Sequence, residues 1–123
     1  DQDLRITDTM TDAAWRVARE VDASAIVCLT RTGFTVRAVA RYRPRTPILG
    51  FTPDERVRRQ LSVSWGAMPM ALSGFAGTEE MMREALASAR AEGHVRHGDI
   101  VVVLAGVGRG SRTTDVLRVI EIA

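Results

Sequence analysis

An α/β fold is predicted: a three-layer sandwich with a mixed five-stranded sheet, four parallel strands plus an antiparallel C-terminal strand, and helices on both faces. Three features of the sequence predict it. Short continuous apolar runs such as AIVCL, ILGF and IVVVLA alternate with stretches whose apolar residues recur at helical spacing. The first four runs are separated by enough chain for crossover helices, which makes those strands parallel. Between the fourth run and the last, TTDVLRVIEI, lie only about nine residues, Gly106 to Thr114, too few for a helical crossover, so the last strand is antiparallel.

The first helix is expected from Asp8 to Val21, where Met10, Ala14, Val17, Ala18 and Val21 fall on one face, with Thr7 as its cap and Asp8 in its first turn. Ala25 to Leu29 then reads as a strand buried on both faces. After the polar loop TRTG, Phe34 to Tyr42 returns to helical spacing and stops at RYRPRTP, where two prolines forbid continuation.

Pro47 to Phe51 is the next buried strand. It runs into TPDE, which reads as a capping box with Thr52 as cap, Pro53 at the first helical position and Glu55 reaching back. The helix so begun turns Val57 and Leu61 inward and Arg56, Arg58 and Arg59 outward. A third strand covers Ala67 to Leu72. Thr78 is then expected to cap a longer helix with Met81, Met82, Ala85, Leu86 and Ala89 as its buried stripe, ending at Gly93. Asp99 introduces the fourth strand. The fifth alternates inward and outward residues, as an edge strand does.

At 123 residues the chain (1–123) is expected to form one domain, burying roughly two-thirds of its unfolded surface. Net charge is +2, and all 17 basic residues are arginine. Having no lysine excludes a Walker A lysine, a Schiff-base nucleophile and a pyridoxal phosphate anchor. No apolar run approaches 18 residues, and DQDLRITDTM has neither the apolar core nor the cleavage site of a secretory signal. With a single cysteine, a reducing cytoplasmic location is expected.

Ligands of an open parallel sheet sit at the carboxyl ends of strands, near helix N-termini. The stretch Thr30, Arg31, Thr32, Gly33, Phe34 and Thr35 falls there. Three hydroxyls, a glycine turn, an arginine and the positive end of a helix are the ingredients of a phosphate cradle; the same residues also serve as a plain helix cap beside a solvated arginine. The second candidate is the late loop from Gly106 to Thr114, with Gly108, Arg109, Gly110, Ser111, Arg112 and Thr113. Its glycines imitate the start of a dinucleotide fingerprint, but a strand follows where that motif needs a helix. It reads as a glycine-rich loop able to fold over an anion, or as an exposed connection.

Cys28, inside an apolar strand with no histidine near, reads as an inert core thiol. His94 and His97 have no third ligand in view, so no metal site is expected. Arg41, Arg43 and Arg45 cluster beside Tyr42, but the near-balanced charge argues against nucleic acid as a partner. No constellation of acid, base and nucleophile is visible, and no catalytic residue is assigned.

The run AIVCLTRTGFTVRAVARYRPRTPILGFT resembles the C-terminal domain of bacterial pyruvate kinases, with an apolar strand, a T-x-[ST]-G-x-[ST] loop, a helix and a [KR]-Y-R-P turn before the next strand. GDIVVVLAG followed by TTDVLRVIEI is similar to that family's closing segments, and the resemblance covers essentially the whole chain. It implies a regulatory and oligomerisation domain of an enzyme converting phosphoenolpyruvate and ADP to pyruvate and ATP. The catalytic barrel, with magnesium and potassium, would lie on another domain, leaving this one without a cofactor and inactive alone. It further implies an effector site built from Thr30 to Thr35 and the late loop, and a two-fold contact through the last strand within a homotetramer. Family effectors include fructose bisphosphate, glucose 6-phosphate, ribose 5-phosphate and AMP; the all-arginine usage, typical of GC-rich bacteria, favours AMP or a sugar monophosphate. Asp115 stands where the family usually has asparagine, and an aspartate facing a phosphate would repel it. The rival reading is a stand-alone phosphate-binding module unattached to a kinase.

Overall fold

The computed structural model describes residues 2–63, 66–74, 77–106 and 114–123. Nine elements follow in the order α1 (Gln2–Glu20), β1 (Ala25–Leu29), α2 (Phe34–Ala40), β2 (Ile48–Thr52), α3 (Glu55–Leu61), β3 (Ala67–Ala71), α4 (Thr78–Ala91), β4 (Ile100–Ala105) and β5 (Val116–Glu121). The five strands lie side by side as β3-β2-β1-β4-β5. The first four are parallel, with Ile26 beside Ile48 and Val102, and β5 runs antiparallel to β4, with Val119 opposite Val102. This is the predicted mixed sheet.

Side chains alternate across a strand, so each apolar run feeds two cores. On one face Val27, Leu29, Leu49, Phe51, Val101 and Val103 pack under α4, which contributes Met81, Met82, Ala85 and Ala89; Leu86 is only partly buried. On the other face Ile26, Cys28, Ile48, Val102 and Leu104 meet Ala14 and Ala18 of α1, Val36 and Val39 of α2, and Val57 and Leu61 of α3. Burial on both faces is why these strands read as unbroken apolar runs.

Four expectations about helix ends need correction. First, α1 starts at Gln2 rather than Asp8, so Thr7 is an interior residue and not a cap. Its turn of helix is satisfied internally: Thr11 Oγ1 donates to Thr7 O at 2.9 Å and Thr9 Oγ1 to Arg5 O at 2.8 Å. Asp8 correspondingly lies inside the helix, where its carboxylate pairs with Arg41 at 3.0 Å.

Second, α3 is capped by Asp54, whose Oδ1 accepts from the N–H groups of Arg56 at 2.8 Å and Val57 at 3.2 Å. Thr52 is buried at the end of β2, where its hydroxyl accepts from Asp54 N–H. Glu55 turns to Arg59 instead of reaching back. A capping box is therefore absent here because the cap sits two residues later than the sequence pattern suggests.

Third, α4 has Gly77 at its N-cap, with extended backbone, and Thr78 is its first helical residue. Fourth, α2 ends at Ala40, before Tyr42. At the other end of α4, Gly93 takes the left-handed conformation that a helix stop requires, φ +82°.

Candidate functional site

Thr30 follows β1 directly and turns the chain out of the sheet. Its N–H donates to Phe51 O at 3.0 Å, continuing the ladder, while its Oγ1 accepts from Gly33 N–H at 2.8 Å. Gly33 is the N-cap of α2 at φ +84°, and a Cβ there would meet Leu61 Cδ2 at 3.0 Å and Arg37 Nη1 at 3.3 Å. Both backbone conformation and space therefore demand glycine. Thr32 Oγ1 accepts from Phe34 N–H at 3.3 Å, and Arg37 Nη2 reaches Thr32 O at 3.5 Å. Arg31 is exposed at the tip and Phe34 half-buried.

The sequence suggests three hydroxyls offered together to an anion, and the geometry divides them. Thr30 is only 4% exposed and locks the turn; Thr32 braces the helix start. Thr35, 6% exposed, faces inward, its Oγ1 lying 2.6 Å from Thr114 Oγ1. These bonds shape the loop and fix the start of α2. Only the arginine of this loop is exposed: Arg31 stands at the surface, while the Gly33 turn and the hydroxyls of Thr30 and Thr35 are buried beneath it.

Sequence reasoning missed Thr7 and Thr114. Thr114 N–H donates to Thr7 Oγ1 at 3.0 Å, and both residues are fully buried. Together with the Thr35 pair, this forms a hydrogen-bonded chain from α1 through the entrance of β5 to α2. A signal existed for half of it: Thr7, Thr11, Ala14 and Ala18 recur on one helical face, and all four are buried. The other half joins positions 107 residues apart, which no local pattern reveals.

In the late loop, Gly108, Arg109, Gly110, Ser111, Arg112 and Thr113 lie outside the described residues. Gly106 and Thr114 flank them, and Asp115 is exposed with its N–H on Ala105 O at 3.2 Å. The β-sheet topology places both ends of this loop at the carboxyl end of β4, next to β1 and therefore beside Thr30.

Cys28 has no exposure, and burial pushes its thiol from 9.0 up to about 12, as suits a core residue. His94 lies 3.9 Å from Glu92. Among the described residues no three of histidine, cysteine, aspartate or glutamate gather as metal ligands, and no helix is long and apolar enough to cross a membrane.

A β-α repeat closed by an antiparallel edge strand, with a glycine turn at the end of its central strand, defines the class: an α/β domain with a mixed five-stranded sheet. Comparison makes the assignment particular. The family model described as pyruvate kinase, alpha/beta domain, matches residues 8–120. The chain belongs to that family. It is 40% identical over 114 residues to a pyruvate kinase of Clostridium acetobutylicum, covering 92% of this chain and 24% of that protein. It is 36% identical over 115 residues to pyruvate kinase 2 of Synechocystis, covering 93% and 20%, and 33% identical over 114 residues to a pyruvate kinase of Lactobacillus delbrueckii, covering 92% and 19%. The chain thus spans 19% to 24% of the length of these relatives.

Proposed function

We propose that the chain is the regulatory and subunit-contact domain of a pyruvate kinase, and that a phosphorylated effector, a sugar phosphate or AMP, binds at the loop from Thr30 to Thr35. The observation that carries this reading is the threonine chain. Thr35, in the loop's helix, is bonded to Thr114, which opens β5 and is bonded in turn to Thr7 of α1. A ligand that moves the loop therefore has a buried, directional connection to the edge strand. Coupling of about 1 to 3 kcal/mol per site is what allostery ordinarily requires, the scale of one or two such bonds.

Phosphoryl transfer from phosphoenolpyruvate to ADP, with magnesium and potassium, belongs in this reading to the part of the enzyme outside these residues. The sequence has no lysine to grip a transferred phosphate, and the catalytic barrel is expected on another domain, so the 123-residue chain alone is expected to give no turnover. The cytoplasm, where glycolysis runs, is the corresponding location.

Calorimetry tests the effector site. Two or three charge-assisted bonds of roughly 1.5 to 3 kcal/mol each, less association costs, give micromolar to millimolar affinity for a phosphate ester. Glucose 6-phosphate, ribose 5-phosphate, fructose bisphosphate and AMP form the panel. One or more should bind, and Thr32→Val with Arg31→Ala should weaken that binding. An absence of heat with every member would reduce the loop to a helix cap.

A further inference from the structure

A cleft of about 500 Å³ opens at the other end of the sheet, where α1 hands over to β1 and α2 to β2. It is separated from the Thr30 loop by the length of β1, about 16 Å at 3.3 Å per residue. One wall is aromatic: Trp15 and Tyr42 stack with ring centroids 5.3 Å apart and planes 16° from parallel. Arg19 lies over the Trp15 ring at 4.5 Å, so the indole is fixed between a phenol and a guanidinium. Arg43, Arg45 and Thr46 also line the cleft, and Asp22 is the one carboxylate among its lining residues.

Charge decides what this cleft takes. The carboxyl ends of α1 and α2 bring at most about half a negative charge each, and Asp22 brings one; against the three guanidiniums of Arg19, Arg43 and Arg45 the lining groups alone sum to about one positive charge. Two left-handed turns shape the same place. Among the described residues only two non-glycine residues have positive φ, Asp22 at 56° and Arg43 at 47°, and both line this cleft. Each lies just past a helix end, with Ala23 N–H donating to Ala18 O at 2.9 Å and Arg43 N–H to Ala40 O at 3.0 Å, so these turns stop α1 and α2 and lead the chain along the cleft.

We infer that this cleft is a second anion site, for a compact phosphorylated metabolite whose phosphoryl group is held by Arg43 and Arg45, with Thr46 beside them, and whose body lies along the Trp15–Tyr42 wall. The inference does not rest on the effector reading of the Thr30 loop. Its size suits a sugar phosphate or mononucleotide, and its exposed arginines imply binding that weakens with salt.

Inorganic pyrophosphate is the probe, titrated at low ionic strength into the 123-residue chain by calorimetry. Tryptophan emission is followed in parallel in a Trp65→Phe background, so that Trp15 alone reports. Saturable binding with a change in Trp15 emission is expected, and Arg43→Gly with Arg45→Ala should weaken it at least tenfold. Arg43→Gly accepts the positive φ without strain and so keeps the fold; it carries the test if Arg45→Ala unfolds. Arg59→Ala, an exposed charge on α3, should leave the affinity within twofold. Binding that is unsaturable, or weakened equally by Arg59→Ala, overturns the proposal. Binding that Arg31→Ala abolishes while the Arg43 variant retains it also overturns it, by placing the anion in the Thr30 loop.

Discussion

Single residues in this chain show how narrowly a local pattern is read. TPDE satisfies the spacing of a capping box, yet Asp54 caps α3 because its shorter side chain sits one residue before the helix and reaches two N–H groups at once. Asp54→Ala should therefore cost about 1 kcal/mol in urea denaturation, and Glu55→Ala less than about half of that, its partner being an exposed arginine. Equal costs would return the role to Glu55. Cys28 offers a second measurement. Its folded pKa is raised from 9.0 to about 12, so the folded chain keeps a proton that the unfolded chain releases above pH 9. Its effect on stability is nil below pH 9 and becomes a loss as pH rises from 9 toward 12, at up to about 1.4 kcal/mol per unit. Cys28→Ala should flatten that alkaline decline in denaturation midpoints; an unchanged slope would mean the thiol is not held neutral by burial.

At the scale of elements, all nine were legible in order because periodicity and run length are local, and their bounds were less so. The Asp8 start for α1 failed because Thr7 reads as a cap from its polar side chain, whereas it is buried inside the helix by a partner that is distant in sequence. For the candidate site, the loop and its glycine were visible, while the inward turn of Thr35 was not, since only the fold brings Thr114 to it. The chain of threonines makes a quantitative expectation. Thr35→Val and Thr114→Val each leave a buried hydroxyl without its partner and should cost about 1 to 3 kcal/mol, while the double variant costs clearly less than their sum. Additive costs would show that the pair at 2.6 Å is not a working bond. If effector binding is found, the same variants should change its affinity and the effector's influence on association together.

For the whole molecule, the sheet ends on one side in β5, which among the described residues pairs only with β4. An edge strand offers a row of backbone groups to another chain, and Val119, 49% exposed, points outward without a charge to deter pairing. Arg118 is engaged with Glu79 of α4 at 2.7 Å, which draws that charge toward its own helix. In the reading proposed above this edge meets its copy across a two-fold axis, continuing one sheet into the next. Sedimentation should show concentration-dependent dimers of the chain, and Val119→Lys should abolish them; a strictly monomeric chain at high micromolar concentration would refute the sufficiency of this edge.

Leu61 touches on a constraint of another kind. A Cβ at Gly33 would lie 3.0 Å from its Cδ2, and a Cβ at Gly50 would lie 3.0 Å from its Cδ1 and 2.8 Å from Val36 Cγ2. One leucine of α3 thus fills the space left by a glycine in the sheet and a glycine in the loop, and α2 rests on bare backbone at that point. The three positions form a matched set in the space of sequences. An alanine at position 50 becomes tolerable once residues 61 and 36 shrink, but a smaller residue 61 also removes the support beneath the turn at 33. Drift at any one of them is therefore coupled to the other two, and the shape of the loop is inherited as a group of residues, including one on a helix that is not part of the loop at all.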